Sequence, residues 1–96
     1  MSEPVDASMD TTDIENVVVQ IWQSLLGLDG IGPDDNFFLL GGRSLTAMRV
    51  VTQVRDQIGV PVKLADIFRA PELRSFAELL GKRIAEHEQV VPRDSK

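Results

Sequence analysis

The chain contains no cysteine, so it can form no disulfide frame, thiol nucleophile or cysteine-based metal site. It has a single histidine, His87, set between Glu86 and Glu88 late in the sequence. A histidine there is expected on a solvated surface, which leaves a serine nucleophile without a histidine base and argues against hydrolase chemistry. No apolar run approaches the roughly 20 residues that span a bilayer. The first residues, Met1 to Asp6, lack the basic region and apolar core of a signal peptide. A cytoplasmic protein that meets no membrane is the expectation. Positive charge is also scarce: ten Lys and Arg face fifteen Asp and Glu, for a net charge of −5. That balance argues against nucleic acid as a partner, because phosphate binding is dominated by Lys and Arg. Strand-forming runs are too sparse for a sheet, and no internal repeat is visible.

What remains fits one small domain of 96 residues with 43% hydrophobic residues. Five aromatic side chains (Trp22, Phe37, Phe38, Phe68 and Phe76) must anchor most of the core. Residues 1–11 are polar and acidic and are expected to be a disordered lead-in. Thr12-Asp13-Ile14-Glu15 fits a capping box, and Ile14, Val17, Val18, Ile21, Trp22 and Leu25 then recur at helical spacing. Gly27 is the expected stop. Residues 27–43 form a long connection rich in Gly, Pro and Asp. Leu28, Ile31, Phe37, Phe38 and Leu40 can pin it to the core, so it reads as ordered and functional. Asp34-Asp35 reads as a turn and capping pair rather than a metal site. The glycines match no nucleotide-binding spacing.

A second helix is expected from Ser44 to about Gln57, with Ala47, Val51, Val54 and Ile58 on its core stripe at about 100° per residue. Leu45 and Met48 fall off that stripe. Val60-Pro61-Val62 is extended, and Leu64 to Arg69 makes a short helix, with Ile67 and Arg69 expected outward and Phe68 inward. A fourth helix is expected from near Pro71, with Leu73, Phe76, Ala77, Leu80 and Ile84 buried and Gly81 weakening it slightly. Residues 89–96 are an expected flexible tail. The expected fold is all-α: a small bundle of three long helices and one short one, with a long ordered loop between the first two.

The stretch Asp35-Asn36-Phe37-Phe38-Leu39-Leu40-Gly41-Gly42-Arg43-Ser44-Leu45 stands out. Its glycines clear an approach, and Ser44 falls where an N-cap belongs, beside unpaired N–H groups that favour a phosphate. Ser44 taken alone reads as a plain N-cap. The whole pattern, however, resembles the phosphopantetheine attachment site of carrier proteins, most closely the peptidyl (thiolation) carriers of nonribosomal peptide synthesis. The resemblance covers residues 12–88, including Val60-Pro61-Val62 and Leu-Ala-Asp-Ile-Phe-Arg-Ala-Pro. It implies an acyl-carrier-type bundle in which Ser44 accepts 4′-phosphopantetheine from coenzyme A, with Gly42, Arg43 and Leu45 flanking the attachment point. A separate phosphopantetheinyl transferase with Mg²⁺ would install the arm. Its thiol would then carry an aminoacyl or peptidyl thioester to adenylation, condensation or tailoring enzymes. The chain would be a carrier and not an enzyme, monomeric, and free-standing, as its Met1 start suggests; a module excised from a larger synthetase would look similar.

Two positions depart from the family habit. Arg43 stands where peptidyl carriers usually place His and fatty-acid or polyketide carriers Asp, and Leu39 stands where an acidic residue is commoner. The second helix carries Arg49 and Arg55 against Asp56, unlike the acidic helix of fatty-acid carriers. Partner contact is therefore expected from Leu39, Leu45, Met48, Arg49, Ile67 and Arg69. Two rival readings are an acyl or aryl carrier of polyketide or siderophore-type chemistry, and an unmodified helical interaction module.

Overall fold

The computed structural model describes residues 11–90, with side chains described from 12 to 86. The expected lead-in before Thr11, the tail beyond Val90 and the side chain of His87 lie outside the described residues. Four helices follow in order: α1 Thr11–Leu26, α2 Ser44–Ile58, α3 Leu64–Arg69 and α4 Leu73–Val90. No strand accompanies them among the described residues; the only sheet-like contact is an isolated bridge between Asn36 and Glu72. The expected all-α bundle of three long helices and one short one is the observed fold. α1 packs against α2 and α4, and α3 closes the gap between those two.

The packing follows the apolar periodicity. Ile14, Val18, Ile21 and Trp22 of α1 meet Leu73, Phe76, Ala77 and Leu80 of α4, with Ala47, Val50, Val51 and Val54 of α2 completing the core. Trp22 lies between Phe37, edge-on at 5.2 Å between ring centroids, and Phe76, stacked at 6.2 Å. Each such ring, fully removed from water, contributes on the order of 1.5–3 kcal/mol. Gly81 sits where α4 passes α1, and a methyl there would meet Ile14 Cδ1 at 3.6 Å.

Several boundaries differ from the sequence reading. Thr12 is not the cap of α1, since the helix already includes Thr11. α2 extends to Ile58 and stops at Gly59, whose φ of 85° is left-handed and whose N–H donates to the Arg55 carbonyl. The core stripe of α2 is one residue wider than expected, because Val50 is buried beside Val51. α4 starts at Leu73, not at Pro71. The delay has a structural cause. The Pro71 carbonyl accepts the Phe37 N–H at 2.7 Å, while Leu73 and Arg74 donate to the Asp35 and Pro33 carbonyls at 3.0 and 2.9 Å. The long loop thus caps two otherwise unpaired donors at the start of α4.

The same loop is ordered by local bonds. Asp35 Oδ2 accepts the Gly32 N–H at 2.7 Å, and Asn36 Oδ1 accepts those of Phe38 and Leu39. Asp34 pairs with Arg74 across the loop–α4 contact. Asp35 plays the turn and capping role expected for the pair, whereas the Asp34 carboxylate meets Arg74 instead. Ile31 and Phe37 are buried, and Phe38 and Leu40 pack at the edge of the core, but Leu28 points out and does not anchor the loop.

The largest feature without a sequence forecast is an ion pair. Asp66 is buried at the start of α3, where its carboxylate takes both guanidinium nitrogens of Arg83 at 2.9 and 3.0 Å and the Lys63 N–H at 2.8 Å. Arg83 also donates to the Pro61 carbonyl. These contacts fix α3 and the 60–63 connection to α4 in one arrangement.

Candidate functional site

Ser44 opens α2 and is exposed, but it is not the N-cap expected from the sequence. Arg43 holds that position in extended geometry (φ −130°, ψ 174°), and Ser44 is the first helical residue. No side chain caps the helix. The Arg43 carbonyl accepts the Ala47 N–H at 2.7 Å, so the N–H groups of Ser44, Leu45 and Thr46 precede the first helical hydrogen bond. The first turn holds no acidic residue. A free hydroxyl beside free donors at the positive end of a helix dipole suits a phosphate ester. The residues present therefore fit a phosphorylated group carried on the Ser44 oxygen.

The approach to Ser44 is built differently from the expectation. Gly42 does not clear a path for a partner, because it is buried and faces inward. A Cβ on it would lie 2.3–2.6 Å from three atoms of the Phe37 ring, so this glycine lets the backbone close over that ring. Gly41 is the exposed one, and its φ of 102° makes the turn. The Gly41 and Gly42 N–H groups donate to the Phe38 and Phe37 carbonyls, which ties the turn down.

The loop before Ser44 and the first turns of α2 carry exposed apolar side chains. Leu39 is 86% exposed, Leu45 66% and Met48 55%. The expectation for α3 is reversed: Ile67 is fully buried and unable to meet a partner, whereas Phe68 is 52% exposed. Phe68 stacks on Phe38 at 5.0 Å and 16°, joining α3 to the loop. Arg43, Arg49 and Arg69 are exposed, as expected. Met48 forms a ridge between two grooves. One, of about 400 Å³, is lined by Leu25, Leu45, Met48, Arg49, Thr52 and Gln53. The other, of about 200 Å³, lies between α2 and the start of α3. Phe68 was missed because a six-residue helix is too short for periodicity to phase, and no other sequence signal marked it.

The profile of the family described as "Phosphopantetheine attachment site" matches residues 16–80, most of the helical domain and all of the site. The chain belongs to this family. Tyrocidine synthase 2 of Brevibacillus parabrevis is 44% identical over 69 residues, 72% of this chain and 2% of that protein. Malpibaldin synthetase of Mortierella alpina is 44% identical over 68 residues, 71% of this chain and 1% of that protein. The chain thus spans only a small fraction of the curated relatives it matches. Among solved structures, the phosphopantetheine transferase Sfp in complex with coenzyme A and a peptidyl carrier protein contains a similar chain. It is 35% identical at a TM-score of 0.70, over 83% of this chain and 96% of that one. The carrier domain described here thus shares fold and sequence with domains of peptide synthetases. No helix among its described residues is long and apolar enough to cross a membrane.

Proposed function

We propose that this carrier domain bears its arm on Ser44 and works as a peptidyl carrier in nonribosomal peptide synthesis. The observation that supports it most is the exposed Ser44 hydroxyl at an uncapped helix start inside the family's matched span. The likeness to peptide synthetases supports the peptidyl subclass. Ser44 Oγ, giving up its proton, would attack the pantetheine-bearing phosphorus of coenzyme A; the pyrophosphate P–O bond would break and 3′,5′-ADP would leave, in a reaction catalysed by a phosphopantetheinyl transferase with Mg²⁺. The arm supplies a terminal thiol that holds an acyl group as a thioester. The chain's own residues do the rest by placement. Phe37 and Gly42 lock the loop, the first-turn N–H groups and Arg43 would hold the phosphodiester, and Leu39, Leu45, Met48 and Phe68 present an apolar surface to partners. Arg49 and Arg69 flank that surface. The domain acts as a carrier in the cytoplasm and leaves catalysis to adenylation, condensation or tailoring enzymes.

Loading tests the reading. Holo protein incubated with ATP, an adenylating enzyme and its amino acid should gain the aminoacyl mass, labile to hydroxylamine, and Ser44→Ala should gain nothing. Loading only by acyl or aryl donors would assign the domain to the other carrier class.

A further inference from the structure

The charges of this chain are segregated. Between Arg43 and Arg69 lie five basic residues and two acidic ones, whereas the rest of the chain holds five basic and thirteen acidic residues. Of the two acids, Asp66 is buried and taken up by Arg83, which leaves Asp56 alone on the surface of that span. Arg43, Arg49, Arg55, Lys63 and Arg69 are all exposed. The side-chain cations of these five take no part in the ion pairs found among the described residues, Arg74–Asp34 and Arg83–Asp66. A chain of net charge −5 thus concentrates exposed cations on α2, α3 and their connection, in the span that begins beside Ser44.

The positions of the cations match the grooves. Arg49 borders the larger one, whose floor is made by Leu25, Leu45 and Met48. Arg55 and Lys63 border the smaller one, with Val51 and Leu64 between them. Unpaired like charges clustered on one face repel each other, and an opposite charge docked against them relieves that repulsion and speeds encounter.

We propose that the α2–α3 face docks a partner protein of acidic surface, with apolar side chains entering the grooves beside Met48 and carboxylates meeting Arg49, Arg55 and Lys63. The partner's role is taken from the carrier reading, and the charge of its docking face is the new element. An acidic partner face is the opposite of what an acidic second helix would select.

The test uses ¹⁵N-labelled apo protein, so it does not depend on modification of Ser44. The probes are two amphipathic helical peptides with the same leucine stripe, one flanked by glutamates and one by lysines. The glutamate peptide should shift the amides of Leu45, Met48, Arg49 and residues 63–69, and should bind about tenfold tighter than the lysine peptide at low salt, converging at high salt. The Arg49→Glu/Arg55→Glu variant should reverse that preference while its remaining amide spectrum stays unchanged. Equal binding, preference for lysine, binding of neither peptide, or shifts confined to other faces would overturn the proposal. Efficient phosphopantetheinylation alongside such a failure leaves the carrier reading intact and removes only the charge assignment. Glutamate preference in a protein that never accepts the arm removes the carrier reading instead.

Discussion

Gly42→Ala probes the loop that presents Ser44. The added Cβ would lie 2.3 Å from Phe37 Cε2 and within 2.6 Å of two further ring atoms. Comfortable carbon contacts lie at roughly 3.5–4.0 Å, so more than an ångström of relief is needed. The ring is fully buried and held edge-on by Trp22 at 5.2 Å and Phe38 at 5.3 Å, which denies it an easy swing. The backbone must move instead, breaking the Gly42 N–H bond to the Phe37 carbonyl. Overpacking of this kind costs about 1–3 kcal/mol, and here the upper half of that range applies. For a domain of this size each kcal/mol lowers Tm by about 4–8 °C, so calorimetry should show a fall of the order of 10 °C. The rate of phosphopantetheinylation should fall as well, since the displaced loop leads directly into Ser44. An unchanged Tm would refute the packing assignment of Gly42.

Gly81→Ala should do the opposite. The new methyl meets only Ile14 Cδ1 at an ordinary 3.6 Å, so improved helix propensity should raise stability by roughly 0.5–1 kcal/mol in a denaturant titration. Arg83→Ala leaves the buried Asp66 carboxylate without its charge partner and should cost about 3–5 kcal/mol by the same assay; a loss below 1 kcal/mol would contradict the ion-pair assignment. Leu45→Ala and Met48→Ala should each change stability by no more than about 0.5 kcal/mol, because both side chains are exposed, while slowing transferase and loading reactions. Ile67→Ala should instead cost about 2–5 kcal/mol, as a buried isoleucine does.

The parts of the fold that were legible are those with enough length to reveal a period. α1, α2 and α4 each run for 15 residues or more, and their apolar stripes fell on the buried side. Leu45 and Met48 were readable as exposed for the same reason. α3, with 6 residues, carries no such phase, and its orientation is set by Asp66 reaching Arg83 seventeen positions away. That tertiary pair turned Ile67 inward and Phe68 outward, against the expectation. Val50 escaped because a narrow stripe underestimates how wide a face α2 buries between α1 and α3. Ser44 was placed one residue early in the cap because Ser is a strong capping type, whereas here extended Arg43 precedes the first helical turn. Gly42 was legible as necessary but not as inward-facing, since its reason is the Phe37 ring and not a local turn.

The most direct test of the central claim is mass spectrometry of the intact protein after incubation with a phosphopantetheinyl transferase, coenzyme A and Mg²⁺. The account predicts a gain of one phosphopantetheine, mapped to Ser44 in the digested protein and absent from Ser44→Ala. No gain, or a gain that persists in Ser44→Ala, would contradict it.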